Sequence, residues 1–162
     1  MVSIGASAVR NQGTKLVANQ ARKALMQLNL RSFATDDRSA FFQVLDEATR
    51  EVESRLPSCA RSWGIARKCL NIYLRDCLYN VYLRHEFDLT TAEPYLEVPL
   101  DGVVVEQLKR YYPTRSLPRW FGVKHLLPEE STLFQDALVV LADFLDVAPV
   151  HLDTILWVEG RG

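Results

Sequence analysis

The sequence predicts an all-α protein, an orthogonal array of about six helices, and three observations carry that prediction. Apolar residues recur at three- and four-residue spacing through most of the chain. No stretch sustains the period-two alternation of a half-buried strand. Asp, Ser and Pro stand where helices start and stop. At 162 residues, 48% of them apolar and 24% charged, one domain can bury an adequate core without a disulfide or metal staple. Residues 1–13 are small and polar and read as a flexible N-terminus, leaving 14–162 as a single helical domain.

From Thr14, Leu16, Val17, Gln20, Ala24, Leu25 and Leu28 form one helical stripe. Asp36-Asp37 caps a second helix with Phe41, Phe42, Leu45, Ala48, Val52 and Leu56 on its apolar face, ended by Pro57. A third runs from about Cys59 to His85. Its wide face (Ala66, Leu70, Tyr73, Leu74, Cys77, Leu78, Val81, Tyr82) marks a central, buried helix. Residues 87–99 lose the helical period and read as a loop. Asp101-Gly102 opens a helix that stops at Pro113, and 112–128 is a second irregular stretch, basic and aromatic. Ser131 caps an apolar helix through Leu145, and Pro149 opens a short last one.

No apolar run approaches the ~20 residues that span a bilayer, so no membrane partner is expected. Met1 to Arg10 shows no secretory pattern. Three cysteines make no disulfide framework and suit an intracellular, reducing compartment. Cys59, Cys69 and Cys77 read as small buried side chains. The net charge of −1 hides an asymmetry: residues 1–84 hold 13 basic and 7 acidic residues, and residues 85–162 hold 6 and 13. A basic half of +6 allows a nucleic-acid-facing surface; equally, two halves of opposite sign attract each other.

The chain lacks a phosphate-binding glycine loop, a dinucleotide fingerprint and a zinc-protease motif. His85, His125 and His151 lie far apart without metal-ligand spacing. The informative segment is Trp63-Gly64-Ile65-Ala66-Arg67-Lys68-Cys69-Leu70-Asn71. It resembles the hairpin of the helix-hairpin-helix DNA glycosylases (endonuclease III and 8-oxoguanine glycosylase types), which typically reads Pro-Gly-Val-Gly-Arg-Lys-Thr-Ala-Asn. Val98-Pro99-Leu100-Asp101-Gly102-Val103 resembles the family's Val-Asp-Thr-His-Val, with Asp101 in place of its essential aspartate and in the family's order. Departures are visible too. Ala66 replaces the second hairpin glycine, Trp63 replaces the proline, and Asp101 follows Lys68 by 33 positions. Three cysteines cannot form the four-cysteine iron–sulfur cluster of some members, so no cofactor is implied.

The resemblance implies a base-excision enzyme acting on double-stranded DNA. Lys68 would be the nucleophile on the sugar C1′, and Asp101 the carboxylate that stabilises the developing sugar cation. Gly64, Ala66 and Arg67 would hold a backbone phosphate at a helix N-terminus, with Arg61 and Arg75 adding charge. Arg119, Trp120 and Lys124, beside Phe121, would face the opened duplex. Each residue also has a plainer reading. Arg67-Lys68 suits a solvated helix face, Asp101 an N-cap worth ~1 kcal/mol, and Trp120 and Phe121 a plug beneath a loop. The alternative function is a non-enzymatic helical module that binds nucleic acid or protein.

Overall fold

A computed structural model of the chain describes residues 15–112 and 117–160; the expected flexible segment 1–13 and Arg115 lie outside them. Among the described residues there is no strand, and the protein is all-α.

Helix α1 spans Lys15–Leu25 and buries Val17, Ala18, Ala21, Ala24 and Leu25, one face at helical spacing. Leu16, expected in that stripe, is half exposed. A 3₁₀ turn over Leu30–Phe33 leads to α2, Arg38–Arg55. The Asp37 carboxylate accepts from the Ser39 and Ala40 amides to start α2, and Leu56-Pro57 ends it.

Helix α3, Trp63–Tyr79, is the centre of the molecule, buried on most of its circumference. The expected helix from Cys59 to His85 is shortened and broken. Residues 58–60 form a separate 3₁₀ turn, and Cys59 is exposed rather than buried. At Asn80 the backbone turns extended, and the side chain accepts from the Tyr82 and Leu83 amides. A cap bonded so well starts a new helix, α4 (Val81–Glu86), in a new direction. Val81 and Tyr82 are therefore 55% and 85% exposed instead of continuing the buried face.

The expected loop 87–99 holds a 3₁₀ helix over Leu89–Tyr95, entered through Asp88 at φ 52°. Beyond it the chain runs extended past Gln135, whose side-chain amide accepts from the Val98 amide (3.1 Å) and donates to its carbonyl (2.8 Å). That clamp fixes the approach to Asp101, the N-cap of α5 (Gly102–Tyr111). Helix α6 spans Pro128–Leu145, starting before the expected cap Ser131. Pro128 suits the first helical position, and the Leu127 amide donates to the Glu130 carboxylate (3.1 Å). A 3₁₀ turn over Pro149–His151 precedes α7, Leu152–Glu159.

Two apolar cores result. The first joins α1, α2, α3 and the 89–95 segment; the second joins α5, α6 and α7 with Val98, Leu100 and Leu126. Helix α3 supplies residues to the first, and its Trp63 packs against the second.

Candidate active site

The N-terminus of α3 is built by Ser62, whose Oγ accepts from the Ile65 amide at 3.3 Å while its carbonyl accepts from Ala66 at 3.1 Å. Gly64 to Lys68 thus form the first turns of one helix. Its approach comes from a short 3₁₀ turn rather than from a glycine hairpin. A Cβ on Gly64 would lie 2.1 Å from the Val123 carbonyl oxygen and 2.9 Å from Leu126 Cβ. The glycine exists to admit the 123–126 turn, which occupies the flank expected to hold a phosphate. Ala66 is fully buried in the first core.

Arg67 also points inward. Its guanidinium is 7% exposed, donates to Asp46 (2.6 Å) and Thr49 Oγ1 (2.7 Å), lies 3.0 Å from Glu97 Oε2 and sits over the Trp63 ring at 5.0 Å. Asn71, one turn on, donates to the same Glu97 oxygen (2.9 Å). Arg67 is a buried tie between α2, α3 and the 96–100 segment, not an exposed phosphate ligand as expected. Two carboxylates neutralise it, so it supplies no free positive charge beside Lys68.

Lys68 lies about 100° around α3 from Arg67 and faces α5. Its Nζ stands 3.5 Å from Asp101 Oδ2, with the two side chains 11% and 30% exposed. Asp101 is held by its cap: Oδ1 accepts from Val103 (2.9 Å) and Val104 (3.0 Å), leaving Oδ2 to the lysine. The two residues singled out from the sequence, 33 positions apart, therefore meet. The plain cap reading of Asp101 is correct as well, and one carboxylate does both.

Two turns along the same face, Arg75 is paired with Asp76 (2.8 Å) and with Asp153 in the first turn of α7. Asp153 was not singled out from the sequence. Burial pushes its carboxyl above the usual carboxylate range against the pull of Arg75; the Asp101 charge adds to the rise, and Lys68 counters it. Lys68, Asp101, Arg75 and Asp153 form one charge-balanced, part-buried cluster where α3, α5 and α7 meet. Further along α3, Tyr79 stacks on His151, whose ring nitrogens bond the Tyr79 hydroxyl and Glu93, each at 2.9 Å.

Residues 117–127 bridge the N-termini of α3 and α5: Val123 sits on Gly64, and Trp120 Nε1 lies 3.8 Å from where a Gly102 Cβ would be. Trp120 is partly buried edge-on to Phe134 (5.8 Å), which matches the plug reading. Phe121 is 63% exposed with the Arg119 guanidinium over its ring at 5.0 Å, and Arg119 and Lys124 are exposed. From Gln107 to Pro128 the sequence carries five basic residues and no acidic one, inside the acidic half. Arg61 is exposed and donates to the Leu56 carbonyl at 3.3 Å.

A cavity of about 590 Å³ opens on the Trp63–Arg67 flank of α3, with Phe42, Tyr95, Glu97 and Ser131 in its wall; Lys68 and Asp101 do not line it. No grouping of His, Cys, Asp and Glu suited to a metal ion occurs among the described residues, and no helix described is long and apolar enough to cross a membrane. No protein family, curated protein or solved structure matches the chain, so its function is argued from these residues alone.

Proposed function

We propose that the chain is a DNA base-excision enzyme, a glycosylase with lyase-type chemistry, in which Lys68 attacks the sugar C1′ and Asp101 stabilises the positive charge that develops there. The observation that carries this is the contact of Lys68 Nζ with Asp101 Oδ2 in a part-buried site. Displacing a base needs a nucleophile on one side of the sugar and a fixed negative charge near the ring oxygen. Asp101 is fixed by the α5 amides, and Lys68 reaches it on a flexible four-carbon stem. The acid-free segment beside them supplies the electrostatic footprint for a polyanion. Phe121, exposed at its tip, offers a face to a gap in the base stack, whose opening costs a few kcal/mol.

The test is incubation with duplexes carrying an abasic site, and with a panel of modified bases, in the presence of borohydride. Wild type should form a covalent protein–DNA adduct by reduction of the imine, and Lys68→Ala should form none. Asp101→Asn keeps the α5 cap and loses the charge, so base release should slow sharply with little change in melting. One observation favours the alternative of a non-enzymatic binding module. Arg67 and Arg75, expected to face DNA, are spent on internal carboxylates. Absence of any adduct on every duplex would decide for that module.

A further inference from the structure

The lysine chemistry proposed above uses only two of the four charged groups gathered between α3, α5 and α7. An amine that attacks a sugar carbon must first give up a proton, and the cluster has to hold it. Asp101 is the poorer holder. Its Oδ1 is committed to two backbone amides, and its negative charge is needed as the sugar cation develops. His151 has both ring nitrogens engaged, with Tyr79 and Glu93. Asp153 caps nothing through its side chain and is 13% exposed. Its partner Arg75 keeps Asp76 as a second carboxylate, so Arg75 stays paired when Asp153 becomes neutral.

We propose that Asp153 is a further catalytic residue of this site, the acceptor of the proton that Lys68 gives up and its donor to the departing base. This rests on the base-excision reading. Asp153 shares an electrostatic field with both Lys68 and Asp101, and burial already favours its protonated form. The groups that face it are Lys68, Arg75 and Tyr79 of α3 and Asp101 at the head of α5. Leaving its 3.5 Å contact with Asp101, Lys68 passes one ammonium proton to the Asp153 carboxylate. The freed electron pair forms the N–C1′ bond as the bond from C1′ to the base breaks, its electrons leaving with the base. The base takes the proton back from Asp153. The secondary ammonium on C1′ then hands a proton to O4′ as the C1′–O4′ bond breaks and the imine forms. No oxidant, reductant or metal enters the balance.

The experiment measures the rate of borohydride-trapped adduct on an abasic-site duplex across pH for wild type, Asp153→Asn and Asp153→Glu. This probe has no base to release and isolates the activation of Lys68. Asp153→Asn should slow trapping near neutral pH on the order of 100-fold, at the lower end of general-base contributions, and should recover as pH rises and solvent takes the proton. Asp153→Glu should keep the wild-type profile. If the Asn variant does not fold, Arg75→Gln provides the same lever. Removing the cation that holds Asp153 ionised should move the acid limb of the profile to higher pH. A uniform fall with an unchanged profile, or an acid limb that Arg75→Gln leaves in place, overturns the role of Asp153 while the base-excision reading stands. Wild type that forms no adduct at any pH overturns both.

Discussion

Replacing Gly64 with alanine tests whether the 123–126 turn is seated on α3 as tightly as the geometry requires. In an exposed helix the change is favourable by up to about 1 kcal/mol, because alanine has the higher helix propensity and restricts the unfolded chain. Here the added Cβ would stand 2.1 Å from a backbone carbonyl and 2.9 Å from Leu126 Cβ. The first contact is with main chain, so no rotamer change relieves it; the turn must lift. Overpacking of this kind costs about 1–3 kcal/mol, and a main-chain clash belongs at the upper end. Leu126, 6% exposed, would also lose burial. Setting the strain against the propensity gain leaves a net loss of about 2 kcal/mol. For a chain of this length that is a fall in melting temperature of about 4–8 °C. Urea unfolding monitored by circular dichroism reads the change directly. A variant as stable as wild type, or more so, would refute the close packing of 123–126 on α3.

Three further predictions follow from burial and charge. Leu70→Ala should cost about 2–5 kcal/mol in urea unfolding, because Leu70 is fully buried in the central helix and leaves a cavity; a change within error would make α3 peripheral. One thiol per native chain, Cys59, should react with a disulfide reagent near pH 8, because burial raises Cys69 to about 12 and Cys77 to about 11. The same burial holds Tyr73 near 12. The folded state keeps these protons where the unfolded chain loses them, so the stability they confer is present below pH 9 and is lost as pH climbs through 11 to 12. Arg119→Ala and Lys124→Ala should each lower the slope of log affinity against log salt for duplex DNA by about 1. Arg50→Ala, on α2, should leave that slope unchanged.

The helices were legible in the sequence because their signals are local. Asp37 and Asp101 cap the helices they precede, and Pro57 and Pro113 lie just past the ends expected for them. The misreadings also have local causes. Asn80 sits inside an apolar run and looks like a helical residue; its capping role shows only when its side chain turns back onto the Tyr82 and Leu83 amides. Ser131 looks like a cap, but Pro128 and Glu130 already start α6 ahead of it. The meeting of Lys68 with Asp101 was expected only through the resemblance. Nothing in their spacing encodes that a Gln135 clamp on Val98 delivers Asp101 to α3. Asp153 carries no sequence signal, since an acidic residue in a first helical turn is ordinary.

Charge shows the limit of counting most clearly. The +6 of residues 1–84 suggested that α3 presents cations to a polyanion. Yet Arg67, Lys68 and Arg75 all have carboxylate partners, drawn from α2, the 96–100 segment, α5 and α7 as well as α3 itself. Four of these pairings reach sequence-distant residues, and three of those, Glu97, Asp101 and Asp153, belong to the acidic half. The attraction between halves is therefore realised inside the fold, where it ties α5 and α7 to α3. A surface for a polyanion has to come from cations without acids nearby in sequence. The segment from Gln107 to Pro128 meets that condition, and its described part runs beside Lys68 and Asp101. Its basic side chains lie in the half of the chain whose total charge is negative, which is why a whole-half count hides them. If DNA is bound, the phosphates are held by this loop, and α3 supplies the chemistry.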